Sequence, residues 1–310
     1  MKILRTILLF ACSILCASCA SQKKIAFGYG KSIHYWGDHE NKIMCEILSD
    51  AANAAFGGKA GASAVNLDEN ADFESLKKYD AIYVIAEGEN HHPFKGKSSL
   101  IKSLNENGTS FAFVHYATTP SENDNEDAIK DVAGGVYETY FSVNPTFEAK
   151  FEKFAKHPIS NGVKPFSLTD EIYFNIRFKE GADIAHIAKT IPPDKVRKFM
   201  FGPHSGNKFV RENLGREETI AWAYENPNGT RGFGLTAGHA VWALKNPDFF
   251  KLMLNSSAWL AKIDIPENGF EAETPSAEEI EKKISKEKRP DIIPYKERWK
   301  RQMSQWQSLD

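Results

Sequence analysis

Cysteine is scarce in the body of this 310-residue chain: of the four present, Cys12, Cys16 and Cys19 fall in the first nineteen residues and leave Cys45 alone. One remaining thiol excludes an intramolecular disulfide. Cys45 lies in Ile43-Met44-Cys45-Glu46-Ile47-Leu48, whose apolar spacing reads as helix, so it is expected to be a small buried side chain rather than a nucleophile. An excess of positive charge is also missing, since 39 Lys and Arg stand against 41 Asp and Glu, net −2. No global field therefore draws a polyanion to the surface, which disfavours general nucleic-acid binding. Nucleotide-binding glycine patterns are absent: Gly28-x-Gly30 lacks the third glycine of a dinucleotide fingerprint, and no phosphate loop occurs. Gly202-Pro203-His204-Ser205-Gly206 has Pro203 where a nucleophile elbow needs glycine, which argues against a serine hydrolase. No zinc-finger or zincin spacing is present. What remains is ordinary globular composition, with 42% hydrophobic and 26% charged residues, 14 Pro and 21 Gly. One large domain with extensions is expected.

Residues 1–19 read as an export signal: Lys2 and Arg5, an apolar run from Ile7 to Leu15, then Ala17-Ser18 before Cys19. The run is too short to span a bilayer stably. Ala17-Ser18-Cys19 resembles the end of a bacterial lipobox, with Cys19 as the lipidation site and Cys16 as a departure from the usual pattern. The following Ala20-Ser21-Gln22 lacks the aspartate that retains lipoproteins at the inner membrane, so the expected location is the periplasmic side of the outer membrane.

Ile25–Tyr29 reads as a strand, Glu40–Phe56 as an amphipathic helix, Ala81–Ala86 and Ser110–Val114 as buried strands, and Ser98–Asn105 as the helix between them. Alternation of this kind predicts an α/β fold with a doubly wound, mostly parallel sheet. Ile184–Ala188, Thr219–Tyr224 and Gly232–Thr236 read as further strands, and Asp248–Ala261 as a closing helix. Residues 136–177 show no assignable pattern. The expected domain covers 24–265. A charged C-terminal extension covers 266–310, with a Glu/Lys-rich solvated helix over Glu278–Arg289 and Ile292, Ile293, Tyr295, Trp299 and Trp306 as residues that could dock on the body.

In such sheets ligands bind beyond the carboxyl ends of the strands. The residues following the predicted strands are rich in histidine and carboxylate: His34, Asp38, His39 and Glu40; Glu87, Glu89, His91 and His92; His115; and His239. Gathered in one crevice, these could hold a divalent metal or divide acid and base roles. Trp36, Tyr116, Trp222 and Trp242 could present rings to a sugar face, with packing as the stronger reading. His157 and His186 read as structural.

At these residues the chain resembles the trehalose-utilisation ThuA-like proteins, in the secreted form found in planctomycete-type bacteria. The likeness is carried by His34-x-x-x-Asp38-His39-Glu40, Glu87-Gly88-x-x-His91-His92-Pro93, Val114-His115-Tyr116-Ala117, Ser142-Val143-Asn144-Pro145, His157-Pro158-Ile159, Asp170-Glu171-x-Tyr173, Gly202-Pro203-His204-Ser205-Gly206-Asn207 and Arg231-Gly232-Phe233-Gly234-x-Thr236-x-Gly238-His239. The resemblance implies a flavodoxin-like fold of the class I glutamine-amidotransferase type, with His115 where those enzymes carry cysteine, so cysteine amidotransferase chemistry is not expected. It also implies a small carbohydrate ligand, trehalose or a related disaccharide or keto-sugar. The expected activity is a metal-assisted hydrolase, lyase or isomerase, with a non-catalytic sugar-binding lipoprotein as the alternative. Some of His39, His115, Glu171, His204 and His239 would hold zinc or a similar divalent ion. His115, Glu40, Glu87 and Glu171 are the candidate catalytic groups, and Trp36, Tyr116, His92, Ser205 and Asn207 the candidate substrate contacts. No nucleotide cofactor or nucleic-acid partner is expected, and membrane contact would be through the lipid anchor only.

Overall fold

The computed structural model describes residues 21–34, 37–68, 70–121, 126–198 and 207–285. Its first half runs β1 (Lys23–Tyr29), α1 (Asn41–Ala55), β2 (Ala60–Asn66), β3 (Ala81–Ile85), α2 (Ser98–Glu106), β4 (Ser110–Val114) and α3 (Glu126–Ala133). Next, β5 (Gly135–Val136), β6 (Thr146–Phe151), β7 (Phe166–Glu171) and β8 (Arg177–Phe178) form two small antiparallel pairs, β5 with β8 and β6 with β7. Last come β9 (Ile184–Thr190), α4 (Asp194–Lys198), α5 (Lys208–Arg211), β10 (Glu218–Glu225), β11 (Arg231–Leu235), α6 (Pro247–Leu260) and α7 (Ala277–Ser285).

The main sheet has the order β2-β1-β3-β4-β11-β10-β9. β2, β1, β3, β4 and β11 pair in parallel, while β10 runs antiparallel to both β11 and β9. Counted alone, the five parallel strands follow the flavodoxin-like order 2-1-3-4-5, which is the expected α/β architecture. Both sheet faces are covered, and this explains why the central strands are apolar throughout. Phe27, Tyr83, Ile85, Val114 and Leu235 face α1 and α6, whereas Ala26, Ile82, Val84, Phe111 and Phe113 face the α2 and α3 side. Cys45 is fully buried within the first of these cores.

Helix ends follow local chemistry. Asn246 accepts the Asp248 and Phe249 N–H groups on its side chain, and Pro247 opens α6. Ser276 and Glu279 make a reciprocal capping box at the start of α7. That helix is not solvated all round: Ile280 and Ile284 are fully buried, and Lys283 reaches Glu46 on α1. Among the described residues, no helix is long and apolar enough to cross a membrane. Residues 1–20, with Cys19, and residues 286–310 lie outside the described set.

Candidate metal centre

Four neighbouring strands, β1, β3, β4 and β11, aim their carboxyl ends at one crevice, beside the point where the chain winds from β1 to β2 on one side and to β3 on the other. His115 follows β4 directly in left-handed backbone, φ +51, and His39 holds φ +48. Non-glycine residues adopt this conformation at a cost of about 1–3 kcal/mol, and they keep it where surrounding structure overdetermines it. Here backbone contacts do so. The His39 N–H donates to the His239 carbonyl at 2.8 Å, and the Val241 N–H to the Gly37 carbonyl at 3.1 Å, lacing together the loops that carry two of the histidines.

Gly238, at φ +105, supplies the turn that presents His239. Asp170, wholly buried near the end of β7, fastens that turn: Oδ2 accepts the Gly238 and His239 N–H groups at 2.6 and 3.1 Å, and Oδ1 that of Ala240 at 3.2 Å. Burial pushes its carboxyl up to about 6, against the opposing pull of His239 and the amides.

Three ring nitrogens meet. His39 Nε2 lies 3.0 Å from His239 Nδ1, His115 Nε2 lies 3.1 Å from His39 Nε2, and His115 Nε2 lies 3.1 Å from His239 Nδ1. The far nitrogens of His115 and His39 fix the protons of those two rings. His115 Nδ1 is 2.9 Å from the Thr236 carbonyl, which only accepts, so the hydrogen sits on Nδ1. His39 Nδ1 is 2.9 Å from Glu87 Oε2, and His239 Nε2 is 3.3 Å from Asp38 Oδ1. In these tautomers the inward nitrogens of His39 and His115 carry lone pairs and no hydrogen, and His239 Nδ1 faces both of them. Burial lowers His39 to about 3 and His115 well below its ordinary value, and the neighbouring imidazoles lower both further, so both are neutral near pH 7.

The His39 and His115 lone pairs, 3.1 Å apart, repel unless a hydrogen or a cation stands beside both. Imidazoles whose outer N–H groups are held by carboxylates or carbonyls are the usual surroundings of bound metal. Glu87 is fully buried and serves two rings through one oxygen, His39 at 2.9 Å and His34 at 2.8 Å. Burial works against its charge, yet those two hydrogen bonds outweigh it and lower its carboxyl to about 2. His34 stacks on His39 with ring centroids 3.7 Å apart.

Glu171 reaches the open side. Its Oε1 is 3.8 Å from His239 Nδ1 and 4.0 Å from His115 Nε2, and it accepts from Asn144 Nδ2 at 3.5 Å. It lines a cavity of about 180 Å³ with His34, Tyr116, Thr119, Tyr137, Asn144, Tyr173 and His239. The Thr119 hydroxyl there is buried with no hydrogen-bond partner among the described residues. The Tyr173 hydroxyl lies 3.1 Å from His115 Nε2. Tyr116 packs beneath Gly88, where a Cβ would stand 2.3 Å from the Tyr116 carbonyl oxygen.

Of the expected site residues, His39, His115, His239, Glu87, Glu171 and Tyr116 come together here. Glu40 is buried with Oε1 on the Gly37 N–H, closing that turn. His92 is turned toward the core, with Nε2 on the Ala117 carbonyl and Nδ1 accepting from the Phe94 N–H. Asn207 caps α5 and donates to the Phe141 carbonyl. Trp36, His204 and Ser205 lie outside the described residues. Trp222 is buried, its indole N–H on the Ala133 carbonyl, and packs as expected. Asp38 was expected in the crevice but given no role, and Thr236, Thr119, Tyr137 and Asn144 were not among the expected site residues. Asp38 was visible only as a neighbour of His39, and Tyr137 and Asn144 lie in the stretch without a readable pattern.

The sequence profile of the ThuA family, described as trehalose utilisation, matches residues 35–260. No curated protein matches the sequence. Among solved structures, a ThuA-like protein from Bacteroides uniformis shares 14% identity at a TM-score of 0.51, with 77% of this chain and 91% of that one covered. At that identity the likeness concerns the fold. PurLQS from Thermotoga maritima aligns at 13% identity and TM-score 0.39, covering 76% of this chain and 99% of its own. A GMP synthase protein from Thermoplasma acidophilum aligns at 10% and 0.40, covering 78% and 97%.

Proposed function

The chain belongs to the ThuA family of trehalose utilisation, and from that premise we propose that it is an exported, metal-dependent enzyme acting on trehalose or a related neutral disaccharide or keto-sugar. The observation that carries the reading is the meeting of three imidazole nitrogens at 3.0–3.1 Å, with His39 and His115 held from behind by Glu87 and Thr236 and Asp38 Oδ1 3.3 Å from the far nitrogen of His239. His39, His115 and His239 would hold the ion, which would supply Lewis-acid polarisation of a sugar oxygen.

The other roles follow from who is free to act. Glu40 is engaged by the Gly37 amide and Glu87 by two imidazoles, and neither lines the cavity beside the histidines. Glu171 does, and it is the group that would take or return a proton at the substrate. The tyrosines, Asn144 and Thr119 supply rings and hydroxyls suited to a neutral polyol, and no Lys or Arg is among the described residues lining the cavity. The segment 1–19 supports export, with Cys19 as the lipid-bearing residue, as in the secreted planctomycete-type form, and the periplasmic face of the outer membrane as location.

Plasma mass spectrometry on untagged residues 22–310 tests the centre. About one divalent ion per chain is expected, lost in His115→Ala and in His239→Ala. A folded wild type that neither carries nor takes up metal would sink the reading. Glu171→Gln is expected to keep the ion and lose turnover of the disaccharide or keto-disaccharide processed by wild type. Sugar binding without turnover in a metal-loaded wild type would favour a binding lipoprotein instead.

A further inference from the structure

Tyr173 stands beside the three histidines without a place among the groups that would hold the ion. It follows β7 by two residues, is buried, and lays its ring against that of His115 with centroids 4.3 Å apart. Its backbone is fixed on both sides, since the Ile172 N–H donates to the Pro145 carbonyl and the Phe174 N–H to the Val143 carbonyl, each at 3.0 Å. Thr236 ties the two rings together. Its hydroxyl donates to the Tyr173 carbonyl at 2.7 Å, while its own carbonyl accepts from His115 Nδ1 at 2.9 Å.

The Tyr173 hydroxyl lies 3.1 Å from His115 Nε2, its one hydrogen-bond partner among the described residues. With the His115 hydrogen held on Nδ1, Nε2 can only accept, so the hydroxyl donates. That nitrogen has a single lone pair, and it is the same pair that would bind an ion beside His39 Nε2 and His239 Nδ1. One lone pair serves one partner at a time. An ion that enters must therefore take it from the hydroxyl, whose hydrogen can swing into the cavity that Tyr173 already lines.

We infer that Tyr173 is a positioning residue of the empty centre: its O–H occupies the His115 lone pair and holds that ring in register until a divalent ion displaces it. This rests on the metal reading above and adds a group that acts on the metal-free state alone. A buried acceptor left without a hydrogen is costly, so the hydroxyl stabilises the empty site and weakens the hold on whichever ion enters. Since the empty site is common to all ions, it weakens each by the same factor.

Tyr173→Phe removes the hydroxyl and keeps the ring. Competition with a chromophoric chelator on residues 22–310 should show the dissociation constants for Zn(II), Co(II) and Ni(II) all falling by one common factor of about ten. In thermal unfolding the variant should melt below wild type in EDTA and level with it when loaded with zinc. Tyr116→Phe takes from the same cavity a hydroxyl that bonds Glu89 rather than a histidine, and it should leave the three constants within about twofold of wild type. Weaker binding in Tyr173→Phe would mean that the phenol is itself a ligand, and a different factor for each ion would mean that it acts on the filled site; either overturns the inference and leaves the metal centre standing. Unchanged constants, or a melting point lowered equally with and without zinc, would make Tyr173 a packing residue and overturn it as well. Failure of wild type to bind any of the three ions would remove the metal reading and this inference with it.

Discussion

Glu87 concentrates the electrostatics of the site in one carboxylate. It is fully buried after β3, and a single oxygen accepts the N–H of His39 at 2.9 Å and of His34 at 2.8 Å. A negative charge there makes the inward His39 nitrogen a better donor, since the outer partner of a ligating imidazole sets both its tautomer and its basicity. Glu87→Gln keeps the size, loses the charge and turns an amide NH₂ toward one of the two imidazoles. Competition against a chromophoric chelator is expected to show divalent-ion affinity reduced about 10- to 100-fold. Unchanged affinity would mean that the carboxylate acts on His34 alone. His115 is legible from sequence because the residue after a buried parallel strand has little choice but to face the crevice, while His39 and His239 are legible only as members of the loops that follow β1 and β11. The roles of Asp38 and Thr236 are not, because an outer partner is chosen by which atom lies behind a ring, and no spacing encodes that.

At the scale of elements, the parallel strands and their helices declare themselves through continuous apolar runs and a 3.6-residue stripe, which is why β1, β3, β4, α1, α2 and α6 follow from pattern. β2 does not, being an edge strand of Ala-Gly-Ala-Ser-Ala-Val-Asn with too little apolar contrast to read. The pairs β5–β8 and β6–β7 are short, and their place over the sheet is set by tertiary pairing. Glu171, Tyr173, Asn144 and Asp170 reach the site through that placement, so the half of the cavity they build is the half a sequence cannot give. α7 reverses the expectation for the charged tail, because two isoleucines four apart form a narrow stripe inside the Glu/Lys run. Ile284→Asp is expected to release α7, so that trypsin cuts near Lys282 and Lys283 at least about tenfold faster than in wild type while the remaining body stays protected, as seen on a gel time course. Global loss of protection would show instead that α7 is integral to the core formed with α1.

For the whole molecule, the buried site ties folding stability to pH through groups of opposite sign. His39, lowered to about 3, and His115, lowered well below its ordinary value, stay neutral in the fold but take up protons once unfolded. Their contribution is complete above about pH 6.5 and is lost as the pH falls. His157 and His186, lowered by burial to a smaller extent, act in the same direction. Asp170 opposes them. With its carboxyl raised to about 6, the fold keeps a proton that the unfolded chain releases, so its contribution is present below the unfolded value near 4 and is lost as pH rises to about 6. Between about pH 5 and 6, above the range in which Glu87, lowered to about 2 in the fold, takes up a proton on unfolding, the balance is about two protons gained by His39 and His115 against one released by Asp170, with a smaller addition from His157 and His186. Stability of the metal-free protein should therefore fall by about 1.4 kcal/mol for each pH unit of acidification. Asp170→Asn removes the opposing group, so its own stability, whatever its level at about pH 6, should fall about twice as steeply, about 2.8 kcal/mol per unit. Urea denaturation in chelator at half-unit steps of pH measures both slopes. A wild-type stability that rises by about 1.4 kcal/mol per unit of acidification would mean that both histidines are already protonated in the metal-free fold, a slope near zero that one of them is, and equal slopes in the two proteins that Asp170 is ionised there, held by its three amides.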